Sequence, residues 1–135
     1  MHLLLDTHAL IWWMNNSPSL PDLVRQQMLE KQNTIVVSAV SAWEMATKVR
    51  LGRLPAAAET TRDFERYMEQ SGFESLAVTA AHGIRAGFLP GPQRDPFDRM
   101  LIAQAQAEDL TVVSNEVSFD SYGTRRLWDR IPFGA

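Results

Sequence analysis

Short apolar runs alternate with helical segments along the whole chain, and this alternation restricts the fold more than any other feature of the sequence. The runs are three to six residues long and rich in Leu, Val and Ile, which is typical of buried strands. Strands are predicted at His2–Leu5, Thr34–Val37, Phe73–Val78 and Thr111–Val113, with a further short strand within Leu127–Ile131. Such alternation indicates a three-layer α/β/α domain with a mostly parallel central sheet.

Helices are predicted between these strands from the spacing of apolar residues and from capping residues. A helix at Thr7–Met14 follows the first strand directly. Ser38 and Ser41 are candidate N-caps for a helix that ends at Gly52. Further helices are predicted from Pro21 to about Lys31 and at Thr60–Gln70, Thr79–Phe88 and Phe97–Glu108. With no long linker between these elements, we expect one domain over residues 1–135.

Composition narrows the classes of protein to which the chain can belong. Its 135 residues are 45% apolar and 21% charged, which is ordinary for one globular domain. The lack of cysteine excludes disulfides, thiolate metal sites and cysteine nucleophiles, and is compatible with a reducing cytoplasm. The apolar start is too short to span a bilayer, so we expect a cytoplasmic protein without a membrane partner. A net charge of −3 still permits nucleic acid binding, because a local basic patch can contact phosphates.

Four acidic residues are placed where the predicted fold would gather them. Asp6 follows the first strand and Glu116 lies shortly after the fourth, while Glu44 and Asp98 lie in the first turns of helices that begin at the same edge. Ligand sites in open parallel sheets form beyond the carboxyl ends of the strands. Carboxylates gathered there repel one another, and a hard cation such as Mg²⁺ or Mn²⁺ removes that repulsion. We therefore predict Asp6 and Asp98 as primary metal ligands, Glu44 as a ligand or water-positioning group, and Glu116 as an outer ligand.

Each acid also has a purely structural interpretation. Asp6 could cap the helix that it precedes. Glu44 could form a capping box with Ser41, because Ser-Ala-Trp-Glu fits that pattern. Asp95 is interpreted as a helix cap before Pro96 and not as a member of the site. The functional interpretation depends on the joint placement of the four acids, since each of them alone is explained by a helix terminus or a loop.

Other residues near the predicted edge are accessory candidates. Ser114 could orient a carboxylate or a water molecule, and Arg99 and Lys48 are candidate phosphate contacts. His8 is interpreted as a packed helix residue outside the site. The apolar excess of the first helix either completes the core or forms an interface with a partner; it comprises Ile11, Trp12, Trp13 and Met14.

Three segments resemble PIN domains of the VapC toxin type: LLLDTHALIWW, SAVSAWEMATKVRLGRL and RDPFDRMLIAQAQAEDLTVVSNEVSF. The resemblance extends from Leu3 to about Tyr122, and DPFDRMLIAQA is its most specific part. It implies a small α/β nuclease that cleaves RNA with Mg²⁺ or Mn²⁺, forms a homodimer and is restrained by an antitoxin protein. The motif acids fall on Asp6, Glu44 and Asp98. At the fourth position the family usually has an aspartate after a Thr-x pair, and here Glu116 follows Ser114.

The predicted function is therefore a metal-dependent endoribonuclease that acts as the toxin of a toxin–antitoxin pair. The alternative is a PIN-like module that binds RNA or protein and whose catalysis is weakened by the longer side chain of Glu116. Neither a dinucleotide-binding G-x-G-x-x-G motif nor a P-loop motif is present in the sequence, so those two classes are not supported.

Overall fold

Five parallel strands form the central sheet of the protein, whose computed structural model describes residues 1–132. The strands are β1 (His2–Leu5), β2 (Thr34–Ser38), β3 (Glu74–Leu76), β4 (Thr111–Val113) and β5 (Arg126–Leu127). Their order across the sheet is β3-β2-β1-β4-β5, so β1 is the central strand and the chain runs outward from it in both directions. The predicted parallel sheet is confirmed, although the third strand is shorter than predicted and the fifth begins at Arg126, one residue before the predicted segment.

Within residues 1–132, seven α-helices connect or flank the strands. They are α1 (Thr7–Met14), α2 (Asp22–Leu29), α3 (Ala39–Arg50), α4 (Ala58–Arg62), α5 (Phe64–Ser71), α6 (Ala80–Phe88) and α7 (Pro96–Glu108). Short 3-10 helices occur at Pro55–Ala57 and Val117–Tyr122. Within residues 1–132, none of the helices has the length and apolar character needed to cross a membrane.

The core lies on both faces of the sheet, as the continuous apolar run of β1 predicts. Leu3 and Leu5 point to one face, where they pack in a cluster that includes Met45 of α3. Leu4 points to the other face and packs in a second cluster that includes Leu101 of α7. All three leucines of β1 are fully buried. Helical layers therefore cover both faces of the sheet, which confirms the predicted α/β/α arrangement.

The helix predicted at Thr60–Gln70 is not continuous. It is divided into α4 and α5 at Asp63, whose backbone angles (φ −110°, ψ 39°) are not helical. Aspartate has a low helix propensity because its side chain competes for nearby backbone groups, and it is favoured at helix ends. The prediction of one long helix here was wrong because apolar spacing alone does not detect such a break.

Helix α3 begins earlier than a cap at Ser41 would allow. Ser38 is its N-cap, and the Ser38 hydroxyl accepts a hydrogen bond from the backbone N–H of Val40 (3.0 Å). Ser41 lies inside the helix, where its hydroxyl accepts a hydrogen bond from that of Thr7 (3.0 Å). The interpretation of Ser41 and Glu44 as a capping box is therefore wrong. The prediction that Glu44 lies in the first turn of its helix is also wrong, because Glu44 lies in the second turn of α3.

Candidate active site

Asp6 lies directly after β1, at the carboxyl edge of the sheet. Its backbone N–H donates to the carbonyl of Val113 at the end of β4 (3.0 Å), which fixes the two strand ends side by side. Its carboxylate caps α1 by accepting from the N–H of Ala9 (2.7 Å). Burial raises the pKa of Asp6 above its ordinary value, while hydrogen bonds from Ser114 and Ala9 limit the increase. Asp6 therefore caps α1 and also lies at the sheet edge where the site was predicted.

Asp98 lies in the first turn of α7 and is half-buried. Burial is the main cause that raises its pKa to about 7, and the negative charges of Asp95, Asp6, Glu44 and Glu116 add to the increase in that order. The carboxylate of Asp98 is therefore within electrostatic range of the three other acids of the predicted site. At neutral pH it would be only partly ionised, which is the expected behaviour of a carboxylate surrounded by like charges.

Glu44 projects from α3 and is only 8% exposed. Its carboxylate forms an ion pair with Lys48 one turn later (3.1 Å). A carboxylate this deeply buried needs a cationic or hydrogen-bonding partner to remain charged. In this structure Lys48 has that function, and its predicted role as a phosphate contact stays a prediction.

Ser114 and Glu116 follow β4 at the same edge. The buried hydroxyl of Ser114 hydrogen-bonds to Asp6 and accepts from the backbone N–H of Glu116 (2.9 Å). Ser114 thus connects the ends of β1 and β4, and its predicted orienting role stays a prediction. The Glu116 side chain is exposed, in contrast to Asp6 and Glu44. It is the peripheral member of the group.

The family model of the PIN domain matches residues 3–124 of this sequence. The chain belongs to the PIN domain family. This membership confirms the family that the sequence segments resemble. No curated protein matches this PIN domain.

Solved structures with the same fold as this PIN domain include VapBC and FitAcB structures. VapBC2 from Rickettsia felis, bound to a DNA fragment from their promoter, has a TM-score of 0.72 at 22% identity, over 96% of this chain and 100% of that chain. VapBC-1 from nontypeable Haemophilus influenzae has a TM-score of 0.67 at 15% identity, over 94% of this chain and 97% of that chain. FitAcB from Neisseria gonorrhoeae has a TM-score of 0.66 at 19% identity, with 93% and 96% covered. At these identities the likeness shows the fold.

Arg99 of this PIN domain hydrogen-bonds to backbone carbonyls at the end of α6 and in the loop that follows it. Its guanidinium donates to the carbonyls of Ala86 (2.8 and 3.1 Å), Leu89 (2.7 Å) and Gln93 (2.7 Å). These carbonyls belong to the last turn of α6 and the loop before α7, where helix-terminal acceptors need partners. The geometry therefore favours a structural role for Arg99, and the predicted phosphate contact stays a prediction.

Two features of the PIN domain edge were not recognised in the sequence. His8 is exposed at the start of α1, so it is not buried in the core, although its ring contacts that of Trp12 (centroids 5.7 Å apart). The Thr7–Ser41 hydroxyl pair connects α1 to α3, next to Asp6 and three residues before Glu44. A histidine within the otherwise apolar first helix could have indicated exposure, whereas the pairing of Thr7 with Ser41 depends on tertiary structure.

The candidate ligands of this PIN domain suit a hard divalent cation. All of them are carboxylates, and oxygen donors are the ligands that Mg²⁺ and Mn²⁺ prefer. Across residues 1–132, no three acidic or histidine side chains lie close enough together to form a complete metal-binding group. Burial is the main cause of the raised pKa of Asp98, and the negative charges of the neighbouring acids add to it. A cation would offset that repulsion, so the residues present fit the metal that the family implies.

Proposed function

We propose that this PIN domain is a metal-dependent endoribonuclease that acts in the cytoplasm as the toxin of a toxin–antitoxin pair. The observation that carries the proposal is the placement of Asp98 within electrostatic range of Asp6, Glu44 and Glu116, whose charges add to the effects of burial and of Asp95 in raising its pKa to about 7. A group of acids that repel one another at a sheet edge needs a cation, and a cation held by carboxylates suits hydrolysis of phosphodiesters. RNA as the substrate follows from the resemblance to PIN domains of the VapC type.

In this proposal each acid has a distinct role. Asp6 and Asp98 would hold Mg²⁺ or Mn²⁺, with Glu44 as a further ligand or a group that positions water, and Glu116 as an outer ligand. The bound cation supplies charge that activates a water molecule and stabilises the phosphate transition state. Ser114 keeps the Asp6 carboxylate in place through its hydrogen bond. Lys48 neutralises Glu44 and thereby limits the total negative charge that an RNA phosphate would meet.

Protein partners form the second part of the proposal. The VapBC and FitAcB structures are named as assemblies, which supports an antitoxin partner for this chain. Helix α6 carries Ile84 and Phe88, which are 63% and 85% exposed. Large apolar side chains grouped on one surface are typical of protein interfaces. We propose that this chain binds a cognate antitoxin and forms a homodimer.

The enzymatic proposal predicts cleavage that depends on both the metal and Asp6. Purified wild-type protein should cut total bacterial RNA in Mg²⁺ or Mn²⁺ and leave it intact in EDTA, with fragments detected by sequencing of the new RNA ends. Asp6→Asn should bind the same RNA without cutting it, because the amide keeps the cap but is a weaker metal ligand. Binding of RNA by wild type without cleavage in either metal would contradict the nuclease proposal and favour the alternative, a PIN-like binding module.

A further inference from the structure

Two aromatic side chains lie beside the acids and take no part in the proposed metal site. Trp43 directly precedes Glu44 on α3, and Phe97 directly precedes Asp98 on α7. Their rings meet edge to face, with centroids 4.8 Å apart and planes at 73°. Such a contact stabilises a defined ring orientation. Trp43 is therefore held in place by Phe97 even though 61% of the residue is exposed to solvent.

Trp43 forms one wall of a cleft between α3, α7 and the end of α6. The cleft has a volume of about 220 Å³, and the side chains of Val40, Pro96 and Met100 contribute to its lining. Arg99 also borders it, but the donors of its guanidinium already bond to backbone carbonyls. The cleft therefore offers apolar and aromatic contact with few free hydrogen-bonding groups.

Trp43 and Phe97 are the sequence neighbours of two of the acids, on the same two helices. Consecutive residues have Cα atoms about 3.8 Å apart. The Cα atom of Trp43 is therefore this close to that of Glu44, and the Cα atom of Phe97 is this close to that of Asp98. A phosphate held near those carboxylates would place a neighbouring base of the same strand within reach of the indole. Unpaired bases of RNA commonly stack on exposed aromatic side chains, and such stacking tolerates any base.

We propose that Trp43, oriented by Phe97, is the stacking surface for one unpaired nucleobase of the RNA strand, next to the phosphate that is cut. This inference rests on the proposed nuclease function and adds the mode of substrate binding. Because the cleft presents few free polar groups, it selects for an unstacked base in a single strand and contributes little to the choice among the four bases.

The test measures binding of single-stranded RNA with Ca²⁺ in place of Mg²⁺, because Ca²⁺ also takes oxygen ligands and its use is intended to keep the strand uncut during the measurement. Trp43→Leu should weaken binding about tenfold, because a leucine keeps the apolar contact but cannot stack. Trp43→Phe should retain most of the affinity. Leu29→Ala is the control, since Leu29 is a similarly exposed apolar residue on α2 (70% exposed). The Leu29→Ala variant should bind the RNA with the same affinity as wild type.

An abasic scan of the same RNA makes the test specific for a base. Removal of one particular base should weaken binding to wild type about tenfold and should have little further effect on Trp43→Leu. If removal of that base weakened RNA binding equally in wild type and in Trp43→Leu, the stacking role of Trp43 would be overturned. Cleavage by wild type together with unchanged RNA binding by Trp43→Leu would also overturn it, and would assign the cleft to a protein partner. A wild type that cuts no RNA but loses binding through Trp43→Leu would overturn the nuclease proposal and support the stacking surface.

Discussion

Asp98→Asn should reduce RNA cleavage by about 10²- to 10⁴-fold, whereas Asp95→Asn should leave the rate within about threefold of wild type. Loss of a primary metal ligand removes several kcal/mol of transition-state stabilisation, and each 1.36 kcal/mol corresponds to a factor of about ten. Asp95 is the N-cap of α7 and Asp98 lies in the first turn of that helix, and both substitutions remove one negative charge. Initial rates at saturating Mg²⁺ on one defined RNA provide the comparison.

Asp95 is a suitable control because its role in the structure is local. Its carboxylate accepts from the backbone N–H groups of Phe97 (2.9 Å) and Asp98 (3.4 Å), and asparagine is an equally good N-cap. The charge of Asp95 also contributes to the raised pKa of Asp98. Asp95→Asn should therefore lower that pKa without removing a ligand. Similar losses of activity in the two variants would show that charge near the helix start, and not metal ligation by Asp98, is what cleavage requires.

Arg99→Ala should lower the free energy of unfolding by about 3 kcal/mol, the largest stability effect that we expect from a single polar side chain here. Hydrogen bonds from a charged donor contribute about 1.5–3 kcal/mol each, although losses within one group are not additive. The substitution leaves the carbonyls of Ala86, Leu89 and Gln93 without their donor. Urea denaturation followed by circular dichroism measures the change.

Arg94, which is exposed in the loop between α6 and α7, provides the matched control for Arg99. Arg94→Ala should change the free energy of unfolding by no more than about 0.5 kcal/mol, as is usual for surface substitutions. If Arg99→Ala were as stable as Arg94→Ala but bound RNA several times more weakly, the structural role would be wrong. The phosphate contact predicted from the sequence would then be the better explanation.

Local sequence was sufficient for β1, β2 and β4 because these strands are almost wholly buried. A strand such as β1, covered by helices on each side, appears as an unbroken apolar run that needs no tertiary information to recognise. The same holds for the caps at Asp6 and Asp95, where the side chain bonds to a backbone group only a few residues away. The placement of Asp6 and Ser114 at one edge followed from the parallel arrangement of their strands.

Features that depend on distant partners could not be predicted in this way. The guanidinium of Arg99 finds its acceptors 6 to 13 residues earlier in the chain, in positions fixed by the packing of α6 against α7. Ser41 resembled a helix cap, yet its partner is Thr7, 34 residues away. The break at Asp63 separates two helices whose apolar residues keep a compatible spacing. In each case a tertiary contact or a backbone turn decided between two locally reasonable structures.

The pKa of Asp98 tests the central claim most directly, namely that its carboxylate shares one cation site with Asp6, Glu44 and Glu116. It can be measured by nuclear magnetic resonance of the labelled aspartate side chains over a pH titration, with and without Mg²⁺. The account predicts a pKa near 7 in EDTA and a decrease of at least about one unit in saturating Mg²⁺, because a bound cation favours the ionised form. An ordinary pKa near 3.8 in EDTA, or a raised value that Mg²⁺ leaves unchanged, would contradict it.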